Sequence, residues 1–403
     1  MISLSDALKT IVEHRAMPRV MDVALVDALG KTCAADVNAK LTQPPFSASA
    51  MDGYAVRFSD MSLGCDLTVI GEAPAGAPFN GIIKAGQAVR LFTGSVIPEG
   101  ANHVIIQEDV SRQGDTIKVT DEQPVARNIR RAGIDFVEGD VLIRRGEILS
   151  PGKVALAAAA NHATLSIYTP MTIALLANGD ELRPPGSSLK QGQIISSNQA
   201  GLGALFKSWG CRVIDLGIAA DDPTDIRDRI EAANAADIIV PIGGASVGDH
   251  DHMRSSFHAA GFTPHFEKVA VRPGKPTWFA QRGEQRVLGL PGNPASAYVC
   301  AHIFLRPLLG LTDAHVTMDL PTSEPIRANG PRDHFQRARV FVDDKGQVNA
   351  QPFSRTDSSL ITPLAEANAL IHLQANSGPW NIGDTVNVTM LGTGPDIFEP
   401  TSQ

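Results

Sequence analysis

The stretch Asp237–Met253, DIIVPIGGASVGDHDHM, constrains the fold more than any other part of the chain. Residues 238–242 are a short apolar run bounded by an acid and by glycine, the pattern of a buried strand. Gly243-Gly244-Ala245-Ser246-Val247-Gly248 follows, and its small side chains and free φ angles leave amide N–H groups open to an anion. Asp249 and Asp251 come next, and a helix is expected after them. A strand, a glycine loop and a helix start are the layout of a nucleotide or phosphate site in an α/β domain. A tight strand-to-helix turn would use the same glycines, so the loop alone leaves both readings open.

The surrounding chain repeats this grammar. Met171–Ala177 reads as a buried strand, with Asn178-Gly179-Asp180-Glu181 as the turn at its end. Ser196-Ser197-Asn198 is expected to cap a helix running to about Trp209, with Gly210 as its stop. Cys211–Ala219 is a second strand, and Pro223–Ala235 a helix with proline in its first turn. Val287–Leu290 and Pro294–Leu309 add a strand and a helix. Strands alternating with helices predict a doubly wound parallel sheet. Before it, Met51–Asp140 is rich in glycine and short β-like runs and reads as a β-rich domain. After Pro321 the pattern is again β, with Arg337–Val342 and Gln347–Phe353 flanking a hairpin turn at Asp343-Asp344-Lys345-Gly346. The tail is expected to be a small β domain or barrel. With 403 residues the chain exceeds one ordinary domain, so about two to four are expected.

Composition removes several function classes. Aromatic residues are 5% and the net charge is -8, which disfavours a nucleic-acid partner. Cys33, Cys65, Cys211 and Cys300 are far apart and form no CxxC pair, so small buried residues or free thiols are expected. The start, MISLSDALKTIVEH, lacks a basic region followed by an apolar core, and no run has the roughly 18 to 20 apolar residues of a membrane span. A cytoplasmic location without membrane association is the expectation.

Ligands of doubly wound sheets lie beyond the carboxyl ends of the strands. Three expected strands end in acids: Glu181 with Asp180, Asp221 with Asp222, and Asp251 with Asp249. If these strands are neighbours the carboxylates converge. Two unit charges about 4 Å apart repel by roughly 4 kcal/mol at an effective dielectric of 20, so such a cluster calls for a cation. Hard oxygen ligands suit magnesium, and magnesium suits a phosphoanhydride held on the glycine loop. Without adjacency the same acids are solvated turn residues. VRPGKP, Val271–Pro276, sets Arg272 and Lys275 around a glycine turn, and GLPGNPAS, Gly289–Ser296, lies between a strand and a helix. Both suit anions, by charge and by backbone N–H groups respectively. His250 and His252 flank Asp251, but consecutive residues alternate direction and no third histidine follows at helical spacing, so rim histidines are favoured over a transition-metal site. No G-x-S-x-G elbow is present, and Ser246 has no recognisable catalytic partner.

GGASVGDHDHM, VRPGKP and GLPGNPAS together resemble the molybdopterin-binding domain. With SAMDGYAV (Ser49–Val56), GEAPAG (Gly71–Gly76), RLFTGSVIPEGANHVIIQED (Arg90–Asp109) and NIRRAGID (Asn128–Asp135), nearly the whole chain is similar to the MoeA-like molybdopterin molybdenumtransferase family, related to the E domain of gephyrin. The resemblance implies four domains: a molybdopterin-binding α/β domain from residues 1–18 and 171–311, a linking domain from 19–37 and 139–170, a β-rich domain from 38–138, and a C-terminal β-barrel from 318–403. It implies a homodimer with the active site at the subunit interface. The implied reaction inserts molybdate into adenylylated molybdopterin and releases AMP and molybdenum cofactor, with Mg2+ as cofactor. Glu181, Asp221 and Asp251 would serve magnesium and catalysis, and Asp52 and Thr93 would reach in from the partner subunit. Arg130, Arg131, Arg272 and Lys275 would gather the anionic substrates. Gly243, Gly244, Ser246, Gly248, Pro291, Gly292, Asn293 and Pro294 would shape the pterin and nucleotide pocket. A molybdopterin adenylyltransferase is a possible partner.

The chain departs from the family pattern at several points. Ser47-Ala48 stand where Asp-Asn is common, and Ala177-Asn178 replace a Ser-Thr pair before Gly179-Asp180-Glu181. Ser196-Ser197-Asn198 replaces Asp-Thr-Asn, and His252 replaces a tyrosine after Asp251. Two alternatives share the domain: a molybdopterin adenylyltransferase, which the β-rich and C-terminal regions argue against, and a non-catalytic gephyrin-like scaffold, which the retained acids argue against.

Overall fold

The computed structural model describes residues 1–243, 252–310 and 317–392. Asp251, Gly244, Ser246, Gly248, Asp249 and His250 therefore lie outside the described residues. The chain divides into two compact units, one of Met1–Arg19 with the chain from Thr169 onward, the other Val20–Tyr168.

The first unit starts with α1 (Leu4–Glu13), whose first turn is closed by Ser3 Oγ accepting from the Asp6 N–H at 3.1 Å. Its central sheet is built from β1 (Thr172–Asn178), β2 (Arg212–Ala219), β3 (Ile238–Ile242), β4 (Thr263–Phe266), β6 (Trp278–Arg282) and β7 (Gln285–Gly289). The two-residue β5 (Val271–Arg272) belongs to another sheet. The strand order is β2-β1-β3-β7-β6-β4. The first four strands are parallel, as expected. However, β6 and β4 run antiparallel at one side, so the sheet is mixed rather than wholly parallel. Helices α2 (Ser197–Ser208), α3 (Pro223–Ala232) and α4 (His252–Ala259) supply the crossovers. The expected cap at Ser196 has the right position but makes no side-chain cap bond. The helix after β7 starts as α5 (Pro294–Cys300) and then loosens into a π turn over Ala301–Leu305.

Strand alternation explains why the middle residues of β1, β3 and β7 are apolar on both faces. Ile173, Leu175, Ile238, Val240 and Leu288 face one core with Phe206, Phe279 and Phe304. Their neighbours Ala174, Leu176, Ile239 and Val287 face a second core with Ile226, Met253, Phe257 and Phe262. A sheet covered on both faces has no polar side to show.

The tail forms a second sheet from β8 (Thr317–Pro321), β9 (Asp333–Val342), β10 (Val348–Pro352), β11 (Ala369–Leu373) and β12 (Thr385–Met390), with the short α6 (Thr362–Glu366) between β10 and β11. The path is β5-β9-β11-β12-β8, with β10 also on β9. The β9–β10 hairpin forms as the turn residues required. A small β domain or barrel is expected; the sheet is partly closed where the chain after β8 meets β10 at the Thr322–Ala350 bridge. Phe335, Leu370 and Leu391 of this region join the first core of the α/β sheet. No helix among the described residues is long and apolar enough to cross a membrane.

The second unit contains a six-stranded sheet in the order His103–Ile106, Gly53–Val56, Gln87–Leu91, Asp66–Ala73, Thr116–Val119, Val110–Gln113. Its two chain ends meet separately: Val20–Ala24 pairs with Thr164–Tyr168, and Val37–Asn38 with Val141–Ile143. With the helix Pro151–Ala159 these enclose a core of Val23, Cys33, Ile143, Leu149, Leu165 and Ile167.

Two predictions follow from packing. Gly53 is paired on both sides, and a Cβ there would lie 1.9 Å from the Ile105 carbonyl oxygen. Gly53→Ala must push two strands apart and should cost about 1–3 kcal/mol or more of stability, read as a lowered denaturant midpoint. On β9, His334 is buried opposite Arg272, and burial first, then the charges of Arg272 and Arg332, push its imidazole down to about 4. A depressed folded value means that the unfolded chain takes the proton more readily. Stability is therefore complete above the ordinary histidine value and is lost as pH falls from about 6.5 towards 4, by about 3 kcal/mol at most. His334→Gln should flatten this part of the melting-temperature profile; an unchanged slope would contradict the assignment.

Candidate active site

The order β2-β1-β3 puts the expected acidic strand ends side by side. Asn178 pairs with Ala219, and Ala177 with Ile242, so the chain leaves all three strands at one rim. Where β2 approaches this rim, a bulge shifts its register against β1 between Leu175 and Ala177, with Gly217 at φ +76°.

The acids at this rim have different jobs. Asp222 is the N-cap of α3, accepting from the N–H groups of Thr224 at 2.9 Å and Asp225 at 3.0 Å. The Asp225 and Thr224 N–H groups hold its carboxyl below the ordinary aspartate value, against a partial desolvation penalty. Asp225 accepts from the Ala220 N–H at 2.8 Å and pairs with Arg229 at 3.2 Å. Asp180 accepts the Asp221 N–H at 3.2 Å. Asp221 accepts from the Asn178 amide at 2.7 Å, and Glu181 folds back over Gly179. Gly179 has φ +148°, and a Cβ there would sit 2.5 Å from a Glu181 carboxylate oxygen. Glu181 and Asp221 are both exposed at the rim.

Close backbone passage brings the next two loops to the same rim. A Cβ on Gly243 would lie 3.0 Å from the Asn178 carbonyl oxygen, and one on Gly292 would lie 3.6 Å from the Gly243 Cα. The Gly243 N–H donates to Leu290 O at 3.1 Å, and Asn198 donates to Gly292 O at 2.6 Å. Pro291, Gly292, Asn293 and Pro294 therefore stand next to the exit of β3. Asn293 Nδ2 donates to Ser358 Oγ at 2.9 Å, tying this loop to the tail.

Arg272 and Lys275 are exposed on the loop that passes from the α/β sheet to β9. The loop packs on α5: a Cβ on Gly274 would lie 2.1 Å from Cys300 Sγ, and Thr277 Oγ1 donates to that sulfur at 3.1 Å. Burial pushes the Cys300 thiol up to about 12, so it is a packing group. Beside this loop is a small depression lined by Pro273, Ala295, His334, Arg337 and Arg355. Its tail residues were missed in the sequence. Arg337 donates to the carbonyls of Leu360, Arg355 and Asp357 and so shapes the loop behind Ser358.

In the second unit, Asp52 accepts from the Thr93 N–H at 2.7 Å and from its hydroxyl at 2.8 Å. The Thr93 N–H foremost, then its hydroxyl, hold the Asp52 carboxyl below the ordinary aspartate value despite some desolvation; Arg90 acts in the same direction. Ser49 N–H donates to Ser95 O, and Ala50 N–H to Asn128 O, both at 2.9 Å. Arg130 pairs with Ala48 across Ala48–Ser49 and Ile129–Arg130. Asp52, Thr93 and Arg130 thus stand on neighbouring segments, with Arg131 next in the chain and exposed.

Among the described residues, no three His, Cys, Asp or Glu side chains gather closely enough to hold a metal ion. The expected set has two members in view, Glu181 and Asp221, and their carboxylates are the hard oxygen donors that magnesium takes.

Residues 2–161 match the MoeA N-terminal region (domain I and II), residues 174–310 the probable molybdopterin binding domain, and residues 319–391 the MoeA C-terminal region (domain IV). The chain is 33% identical to the molybdopterin molybdenumtransferase of Haemophilus influenzae over 398 residues, 96% of this chain and 98% of that one. It is 32% identical to that of Nostoc sp. over 389 residues, 92% and 89% of the two chains. A solved molybdopterin biosynthesis MoeA protein from Pyrococcus horikoshii superposes with a TM-score of 0.79 at 26% identity, covering 97% of this chain and 100% of that one. With these matches spanning nearly its whole length, the chain belongs to the molybdopterin molybdenumtransferase family.

Proposed function

We propose that this chain inserts molybdate into adenylylated molybdopterin, releasing AMP and molybdenum cofactor, in a magnesium-dependent reaction. The observation that carries this reading is the pair of exposed carboxylates, Glu181 and Asp221, at the ends of adjacent parallel strands beside the Gly243 and Gly292 backbones. Relatives named molybdopterin molybdenumtransferase support the choice of substrates.

Glu181 and Asp221, with Asp251 from outside the described residues, would hold magnesium. When bound, the ion supplies positive charge to a phosphoanhydride and to the departing phosphate. Gly243 and Pro291–Pro294 would line the pterin and nucleotide pocket, to which Gly244, Ser246 and Gly248, outside the described residues, are also assigned. Arg272 and Lys275 draw in molybdate and the pterin phosphate by charge. Fixed charges and backbone dipoles that need no rearrangement as charge builds up form the core of the mechanism.

The active form is a homodimer in which Asp52 and Thr93, with Arg130 and Arg131, complete the α/β site of the partner subunit. Exposed apolar residues support a partner on the second unit: Val20, Met21, Leu29 and Ile148 are exposed, and Val26 is 86% exposed. The four domains are those assigned above, residues 1–18 with 171–311, 19–37 with 139–170, 38–138 and 318–403. Cys33, Cys65, Cys211 and Cys300 are free thiols, which suits a reducing cytoplasm. A molybdopterin adenylyltransferase would deliver the adenylylated substrate.

Reconstitution with purified adenylylated molybdopterin, molybdate and magnesium tests the reading. Asp221→Ala and Glu181→Ala should each lower AMP release by about 10²-fold or more while leaving the fold intact by circular dichroism. Full activity in both variants would refute the active-site assignment. The dimer is tested by light scattering on Val26→Asp/Leu29→Asp, which should halve the mass; an unchanged dimer would move the interface elsewhere.

A further inference from the structure

We infer that Asn178 is the positioning residue that fixes the Asp221 carboxylate, an inference that rests on the function proposed above. Asn178 is the last residue of β1 and only 6% exposed. Its amide nitrogen donates to Asp221 Oδ1 at 2.7 Å and faces the Ala219 and Ala220 carbonyl oxygens at 3.4 and 3.3 Å. Three oxygens around one atom fix the orientation of the amide, because the flipped form would set oxygen against oxygen. The acceptors belong to consecutive residues leaving β2, so a single NH2 group grips the whole exit of that strand. The carboxylate takes the shortest of the three contacts.

Asp221 is thereby held at two points, its side chain by Asn178 and its N–H by Asp180. An exposed aspartate on a loop otherwise moves freely among rotamers, and fixing it costs entropy at the moment of reaction. A donor anchored in a buried strand end meets that cost during folding. The same residue also sets the distance to the next loop, since its backbone carbonyl lies against Gly243. The nitrogen of an amide only donates and has two protons to share. Asn178 acts through Asp221 and needs no contact with substrate.

The test measures Mn2+ binding to the full chain by the electron paramagnetic resonance signal of the free ion, alongside AMP release. Asn178→Ala should weaken Mn2+ binding about tenfold, the scale of one hydrogen bond to a carboxylate, and lower kcat by a similar factor with KM changed less than about threefold. Asn178→Ser, which keeps a donor, should recover both to within about threefold of the parent. If Asn178→Ala aggregates, Asn178→Val replaces it as a donor-free residue suited to a strand. Parent-like Mn2+ affinity and kcat in the donor-free variant overturn the inference. So does an Asn178→Ser variant as impaired as the donor-free one, which marks a packing role. A parent that binds Mn2+ but releases no AMP refutes the proposed function alone, and the Mn2+ comparison then decides the role of Asn178. A parent that does neither overturns both.

Discussion

The close passage of three backbones at the carboxyl ends of β1, β3 and β7 is the constraint on which the site depends. Gly179, Gly243 and Gly292 all lie at this passage. A side chain at Gly179 would meet Glu181, one at Gly243 would press on the Asn178 carbonyl, and Gly292 lies against Gly243 itself. The glycines thus do more than leave amides open to an anion. They allow a parallel sheet to bring its loops close enough for acids from different crossovers to share one rim. The cores on the two sheet faces hold this geometry, because a slip of one residue in β1 would exchange Leu175 and Leu176 between them.

Convergence alone would be unstable if every acid at the rim were equivalent. Asp222 and Asp225 meet backbone N–H groups at the start of α3, and Asp225 also meets Arg229. Asp180 meets the Asp221 N–H. Negative charge at a helix start is favoured by the peptide dipoles, so these groups tolerate their ionised state where they are. Among the described residues, Glu181 and Asp221 meet no helix-start N–H groups and leave exposed carboxylates at the rim, that of Asp221 held by Asn178.

Much of this was legible in the sequence because the signals were local. Residues 173–177 and 238–242 are apolar at every position, as strands buried on both faces must be, and Pro223 and Gly210 mark helix ends. What was not legible was mostly a matter of edges and partners. The strands Thr263–Phe266 and Trp278–Arg282 lie at one side of the sheet, and TPHF has a single buried position, so no apolar run announces it. The difference between a barrel and a partly closed sheet rests on one bridge between residues 322 and 350, which no local pattern encodes. The sequence singles out Asp221 but not the helix-capping role of its neighbour Asp222, because capping depends on backbone geometry.

The same reasoning explains motifs that first stood out only by resemblance. In SAMDGYAV the glycine follows Asp52 because its strand passes hard against Ile105 of the edge strand, and Asp52, just before that strand, accepts from Thr93. In VRPGKP the glycine is needed because Cys300 of α5 fills the space that a side chain would take. The loop pairs with the tail sheet at Arg272, opposite His334, and then packs at Gly274 on Cys300, the last residue of α5. The cationic loop and the glycine–proline loop are therefore held by a common helix. Packing around the buried Cys300 thiol thus holds the Arg272–Lys275 loop on α5, with Pro273 and Ala295 lining one depression.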